Sequence, residues 1–315
     1  MKCYLGIDGG GTKTAGVLIN SDGEILSEIF RNGSAIIAEP SASSLNVLKD
    51  VADTLCKNTG ISISDIDYCG LGLNGIDFDD EIEMQFQIIS KYLKIPENKF
   101  QLVNDGIVAL WGASSSRKSV ILQHGTGFTS AFRNDYGNES LYDHLGVCSC
   151  YDLRDESLSY VSRIIAAGTK DNYFTNTVLN LLGVSYKDFP ILLFKNQLDS
   201  QKQLKVLQAI YDLYVDNNED ADIIIGKAID DYINLISGML KRIETENATA
   251  ILGGGVLKSA PKKFRNNFKT KLQTIHPNIN IQSAKLSPAI GAAIMAAYYG
   301  NENIEMLYEK IIKTN

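Results

Sequence analysis

Apolar and polar positions along the chain switch between two periods, and the switches mark the elements. Cys3 to Ile7 is a short apolar run, followed by three glycines and Thr12-Lys13-Thr14. A second apolar run, Ala15-Gly-Val-Leu-Ile19, ends at the polar turn Asn20-Ser-Asp-Gly23. Two such runs joined through glycines predict a β-hairpin whose loop lies between Ile7 and Ala15. Leu45, Leu48, Val51, Ala52 and Leu55 then recur at three- and four-residue spacing, which predicts an amphipathic helix. Beyond it come a short buried strand ending in glycines (68–75), a helix over 81–93 and a strand over 101–103. That last strand feeds a helix of small and apolar residues opened by Asn104-Asp105.

The chain then repeats itself. Gly6-Ile-Asp-Gly-Gly-Gly-Thr-Lys-Thr14 falls on Leu122-Gln-His-Gly-Thr-Gly-Phe-Thr-Ser130, with strand, glycine loop and strand in both. At a larger offset Tyr68-Cys-Gly-Leu-Gly-Leu-Asn-Gly75 lies over Ala250-Ile-Leu-Gly-Gly-Gly-Val-Leu257. The same offset carries Asn104-Asp105 and its helix onto Leu286-Ser-Pro-Ala-Ile-Gly291. Three blocks in one order predict two copies of one α/β unit, over 1–115 and 116–301. The second copy is enlarged by an insertion at about 152–217, with helical patterns at 158–167, 173–182 and 204–215. A long helix follows around 222–242. The last amphipathic segment, within 302–315, is expected to pack back on the first domain. Strands alternating with helices imply mixed sheets covered on both faces, and tandem copies leave a cleft between them.

Composition narrows the partners. The 315 residues carry a formal charge of −7 with 44% hydrophobic and 21% charged residues, the profile of a globular chain. An acidic excess argues against a nucleic-acid groove or an anionic membrane surface. No apolar run reaches the length of a membrane span. The chain begins directly on a strand, so no secretory leader is expected. Five cysteines, with Cys3 and Cys69 inside apolar strands, suit a reducing cytoplasm better than a disulfide framework. Cys148 and Cys150 form a C-x-C pair with no second pair to complete a metal site.

The opening loop offers the chemistry. Gly9, Gly10 and Gly11 let backbone N–H groups approach an anion without a Cβ in the way. Thr12 and Thr14 add hydroxyls, Lys13 a cation, and Asp8 a carboxylate able to hold a metal ion directly or through water. By itself this is equally a glycine-rich turn. The echo at Gly125-Thr126-Gly127 changes that, because two loops facing one cleft form a clamp for a phosphate tail.

The motif set resembles the sugar-kinase, actin and Hsp70 superfamily, and within it the N-acetylglucosamine kinase group, also described as the BadF/BadG/BcrA/BcrD ATPase type. The resemblance implies two tandem ribonuclease H-like (actin-like ATPase) domains with an interdomain cleft. It further implies ATP and Mg²⁺ as cofactors and a sugar as the phosphoryl acceptor. A homodimer is compatible with it. Asp8 to Thr14 matches the first phosphate motif, and Gly125 to Gly127 the core of the second. Asn104-Asp105 takes the place of the catalytic Asn-Asp, with Asp105 as the base. Gly253, Gly254 and Gly255 resemble the adenosine loop, and Ser287 to Ala292 the helix start that follows it.

Departures from the family pattern cluster on the acceptor side. His124, Phe128 and Thr129 stand where the second phosphate motif has Ser at its start and Ser-Asn at its end. After His144-Leu-Gly146 the acidic pair of the sugar block has become Val147 and Cys148. Past Gly33-Ser34 the expected sugar-contacting Asn is Ala35-Ile-Ile37. Candidate acceptor contacts are therefore Ser34, Asn104, His124, Thr129, His144 and Gly146. Competing explanations attach to several of these. Asp105 at a helix start is also a favoured cap. A histidine satisfied by its neighbours is a commoner arrangement than an acceptor contact at His124. Trp111 is expected in the core, and His276 carries no signal. Two other functions stay open: a kinase of a different small molecule, and a nucleotide-binding regulator with a degraded sugar site. An iron–sulfur activator of dehydratases is disfavoured, since Cys148 and Cys150 lack that cysteine pattern.

Overall fold

The computed structural model describes residues 1–36, 39–125, 128–142, 153–245 and 247–314. The chain opens with β1 (Cys3–Gly9), β2 (Lys13–Asn20) and β3 (Ile25–Asn32), followed by α1 (Ala42–Thr59), β4 (Tyr68–Leu73), α2 (Asp79–Leu93), β5 (Phe100–Asn104) and α3 (Asp105–Ala113). A second hairpin follows in β6 (Ser119–His124), β7 (Phe128–Asp135) and β8 (Asn138–Leu141). Then come the helices α4 (Leu153–Ala166), α5 (Tyr173–Leu182), α6 (Phe189–Phe194), α7 (Ser200–Val215) and α8 (Glu219–Arg242). The chain ends with β9 (Thr249–Gly253), α9 (Gly254–Ser259), α10 (Lys262–Ile275), β10 (Asn280–Ser283), α11 (Pro288–Tyr299) and α12 (Ile304–Thr314).

The repeat is visible in the sheets. One has the order β3-β2-β1-β4-β5; the other, taken from its opposite edge, runs β8-β7-β6-β9-β10. In each, the central strand pairs antiparallel with its hairpin partner and parallel with the next strand in the sheet, β4 or β9. The hairpin loop is tighter than the expected Ile7–Ala15, because pairing runs out to Gly9 opposite Thr14. The Gly10 N–H closes the turn on the Lys13 carbonyl at 3.0 Å.

Two small-residue helices join the sheets. A side chain at Gly6 would run into α11 backbone at Ala289 and Ala293, and one at Gly291 into Val108 and Gly112 of α3. Glycine is required here for close approach rather than for an unusual φ. Although α11 lies in the second half of the sequence division, it packs on β1 and β4 of the first sheet. One core cluster accordingly mixes Tyr4, Val108 and Trp111 with Ile121, Ile251 and Ala293. The terminal helix α12 also meets the first half: Lys310 donates to the Ser21 carbonyl, Tyr308 to that of Gly112. Glu302, just ahead of α12, accepts from the Tyr4 hydroxyl at 2.8 Å.

The insertion is helical, as its periodicity predicts, and packs on α8 in a separate core with Phe174, Val178, Ile210 and Tyr211. Its short helix α6, Phe-Pro-Ile-Leu-Leu-Phe, was not legible. No described helix is long and apolar enough to cross a membrane. Cys3, Cys56 and Cys69 are free thiols.

Candidate active site

The carboxyl ends of the central strands of both sheets converge on one cavity of about 480 Å³. From the first sheet come Asp8 at the end of β1, Gly10, Gly11, Thr12 and Lys13 of the hairpin loop, Asn74 after β4, and Asp105 after β5. From the second come Gln123, Gly125, Thr129 and Gly254, with Pro288 at the start of α11. Crevices at the carboxyl ends of strands are where open α/β sheets bind ligands. Here two such edges face each other.

Local sequence explains how each carboxylate is aimed. Asp8 closes an apolar strand whose neighbours Ile7 and Gly9 are buried, leaving the side chain half-buried at the cavity. Burial is the main cause that pushes its carboxyl up to about 7, with Asp105 adding to the shift and Lys13 opposing it. Asp105 is the first residue of α3 but not its cap. That task falls to Asn104, whose side-chain oxygen accepts from the Gly106 N–H at 2.7 Å. With the cap supplied next door, the capping explanation for Asp105 lapses.

Asn104 itself is only 5% exposed. Its amide nitrogen donates to the Ile76 carbonyl at 3.2 Å and to Asp77 Oδ1 at 2.7 Å, which ties the β4–α2 loop to the start of α3. This is a structural assignment rather than the acceptor contact expected from sequence. Ser34, expected as an acceptor contact, and Thr14, expected at the phosphates, are likewise engaged within the fold. The Thr14 hydroxyl donates to the Asn32 carbonyl at 2.8 Å and shares a 2.8 Å bond with Ser34 Oγ, and both residues are buried. Their hydroxyls are consumed in fastening the loop at 33–35 under the phosphate loop. Gly33 there lies too close to the Gly11 carbonyl for any side chain, and the N–H groups of Ser34 and Ala35 both donate to Gly10. Gly9 is likewise buried, against Leu73 and Ser34.

At His124 the structure has the commoner of the two arrangements weighed from sequence, a histidine held by its neighbours. It is 2% exposed, and its Nδ1 lies 2.7 Å from the Tyr232 hydroxyl of α8. Phe128 stacks on the same Tyr232 ring at 6.0 Å, and His124 meets both rings edge-on. The two positions that stand in place of the family's small hydroxyls form an aromatic cluster with Tyr232 of α8. Thr129 does line the cavity, and its methyl occupies the space beside Gly106.

In the adenosine-loop candidate, Gly253 lies against Gln123, and Gly254 adopts φ +81° beside the His124 backbone. A side chain at Gly255 would meet nothing. Thr126, Gly127, His144, Gly146, Val147 and Cys148 fall outside the described residues, as does Cys150. Sequence reasoning missed Asn74 and Gln123, while Pro288 lies in the 287–292 motif that it singled out. For Gln123 a signal existed: a polar residue ending the apolar run Val120-Ile-Leu122, two residues ahead of Gly125.

Comparison with known proteins agrees with this architecture. Residues 5–296 match the BadF/BadG/BcrA/BcrD ATPase family. An N-acetylmuramic acid/N-acetylglucosamine kinase from Clostridium acetobutylicum is 22% identical over 304 residues, covering 94% of this chain and 98% of the relative. An N-acetyl-D-glucosamine kinase from Dictyostelium discoideum is 22% identical over 316 residues, with the same coverage of 94% and 98%. Among solved structures, a ROK hexokinase from Thermus thermophilus superposes with a TM-score of 0.60 at 15% identity, covering 96% of this chain and 100% of that one. With a match that spans nearly its whole length, the chain belongs to the BadF/BadG/BcrA/BcrD ATPase family.

Proposed function

We propose that the protein is an ATP-dependent kinase that transfers the γ-phosphoryl group to a hydroxyl of a sugar, with N-acetylglucosamine or a related amino sugar as acceptor. The observation that carries this reading is the single cavity in which Asp105, Asp8 and the Gly10–Lys13 loop meet Gly125 and Gly254 of the other sheet. The names of the two curated relatives supply the acceptor class.

The chain's own groups fit the chemistry. Backbone N–H groups of the glycine loop, with Thr12 and Lys13, hold the phosphate tail from one side. Gly125 and Gly254 approach it from the other, each free of a side chain. Asp105 accepts the proton of the attacking hydroxyl as its oxygen bonds to the γ-phosphorus and the bond to the ADP oxygen breaks. Mg²⁺ is held in many phosphoryl-transfer sites by one or two carboxylates plus phosphate oxygens. Asp8 near the end of β1 and Asp105 at the start of α3 fit that set: both line the cavity, and Asp105 raises the cost of charging Asp8. When bound, the cation neutralises charge on the phosphate oxygens and this mutual repulsion. Closure of the two domains excludes water, which suppresses futile hydrolysis of ATP. Free thiols at Cys3, Cys56 and Cys69 suit a cytoplasmic setting.

The test is ADP release against a panel of sugars and amino sugars, with Asp105→Asn as control. Acceptor-dependent release by the wild type and not by the variant is expected. Tight ATP binding with no sugar raising ADP release above the variant's level replaces the kinase with a nucleotide-binding regulator.

A further inference from the structure

Asn74 follows the last residue of β4, the strand that lies between β1 and β5 in the sheet. It therefore sits at the strand ends between Asp8 and Asp105 and lines the same cavity. Its backbone is fixed from both sides. The N–H donates to the Gly9 carbonyl at 2.9 Å, and the carbonyl accepts from the Ile36 N–H at 2.9 Å. Gly75 follows at φ +89°, where any side chain would collide with the Ile36 carbonyl, so the turn has one available path. The side chain is placed quite differently. It is exposed to the cavity, and no described residue hydrogen-bonds its carboxamide. Asn104 offers a contrast one strand away, with both ends of its amide engaged by Gly106, Ile76 and Asp77.

We propose that Asn74 is a specificity-determining residue for the phosphoryl acceptor. A carboxamide donates and accepts within one planar group, so it matches two neighbouring oxygens, as in a vicinal diol or a hydroxyl beside an acetamido group. Its place next to Asp105 puts that pair close to the hydroxyl that reacts. Two carboxylates flank it, which favours a neutral polyhydroxylated acceptor over one carrying a carboxylate at this point. Because the strand end is already rigid, little ordering is needed on binding. The proposal rests on the kinase reading above.

The full chain carrying Asn74→Ala, and separately Asn74→Asp, tests it by steady-state kinetics with the best sugar of the panel. The loop is held by backbone bonds, so Asn74→Ala is expected to melt with the wild type, and Asn74→Asp slightly below it because it adds a charge beside Asp8 and Asp105. Asn74→Ala is expected to raise the acceptor KM about tenfold or more, with the ATP KM changed less than about twofold. Asn74→Asp places a third carboxylate in the row and raises the acceptor KM further. An acceptor KM unchanged in both variants overturns the assignment, and so does a parallel rise in the ATP KM. Failure of the wild type to phosphorylate any sugar overturns the kinase reading itself, and this assignment with it.

Discussion

Replacing Asp8 by Asn takes a charge out of a position where the fold resists it. The carboxyl rises from its ordinary value of 3.8 to about 7, through burial first and the nearby Asp105 second. A folded-state value above the unfolded one means that the folded chain holds this proton more tightly. The stability that the proton contributes is fully present below about pH 4 and is lost as pH rises through 7. A rise of that size corresponds to about 4 kcal/mol at 1.36 kcal/mol per unit. Asp8 borders an open cavity and Lys13 lies along it, so about 2 kcal/mol is expected after solvent screening. An asparagine keeps the shape and removes the charge. In a chain of this length 2 kcal/mol raises the melting temperature by roughly 3 °C. Calorimetric melting of wild type and Asp8→Asn in a chelator, at pH 8 and at pH 4, measures it. The variant is expected to melt higher at pH 8 and level with the wild type at pH 4, while losing sugar phosphorylation. Equal or lower stability at pH 8, or the same gap at both pH values, refutes the electrostatic reasoning.

Four further outcomes follow from the same geometry. Asp105→Asn is expected to lower kcat by about 10²- to 10⁴-fold, the usual worth of a positioned base, with ATP affinity by calorimetry changed only a few-fold. Thr14→Val removes the buried hydroxyl shared by Asn32 and Ser34 and is expected to cost about 1–3 kcal/mol, read from denaturant titration. Gly291→Ala forces α11 away from the Val108 and Gly112 backbone of α3, and is expected to yield little folded protein in expression and circular dichroism trials. His124→Gln, at a residue turned to Tyr232 and away from the cavity, is expected to leave the acceptor KM within about twofold while lowering the melting temperature by a few degrees.

The sequence carried most of the architecture, for a physical reason. Strands and their glycine loops are local patterns, and the repeat of Asp8-Gly9-Gly10 at His124-Gly125-Thr126 could be seen without knowing any contact. The same holds for the helices at 45–55 and 173–182, where periodicity alone decides. Short elements were less visible: β8 has four residues and α6 six, too few for a period to repeat. The site was legible in part. Asp8, Lys13 and Asp105 line the cavity as expected, because each sits on a loop that its own strand aims. The partners of Thr14, Ser34 and His124 were not legible because they are distant in the chain. Tyr232, which holds His124, lies on a helix beyond the whole insertion. Asn74 was missed because Asn-Gly after a strand reads as a turn, which it also is.

The most direct measurement is phosphorus NMR of the purified protein incubated with ATP, Mg²⁺ and N-acetylglucosamine or a related amino sugar. A sugar phosphate resonance that grows with the wild type and not with Asp105→Asn is the expected result. ATP that binds, with affinity reduced by changes in the Gly10–Lys13 loop, while no sugar phosphate forms from any amino sugar or hexose, contradicts the assignment.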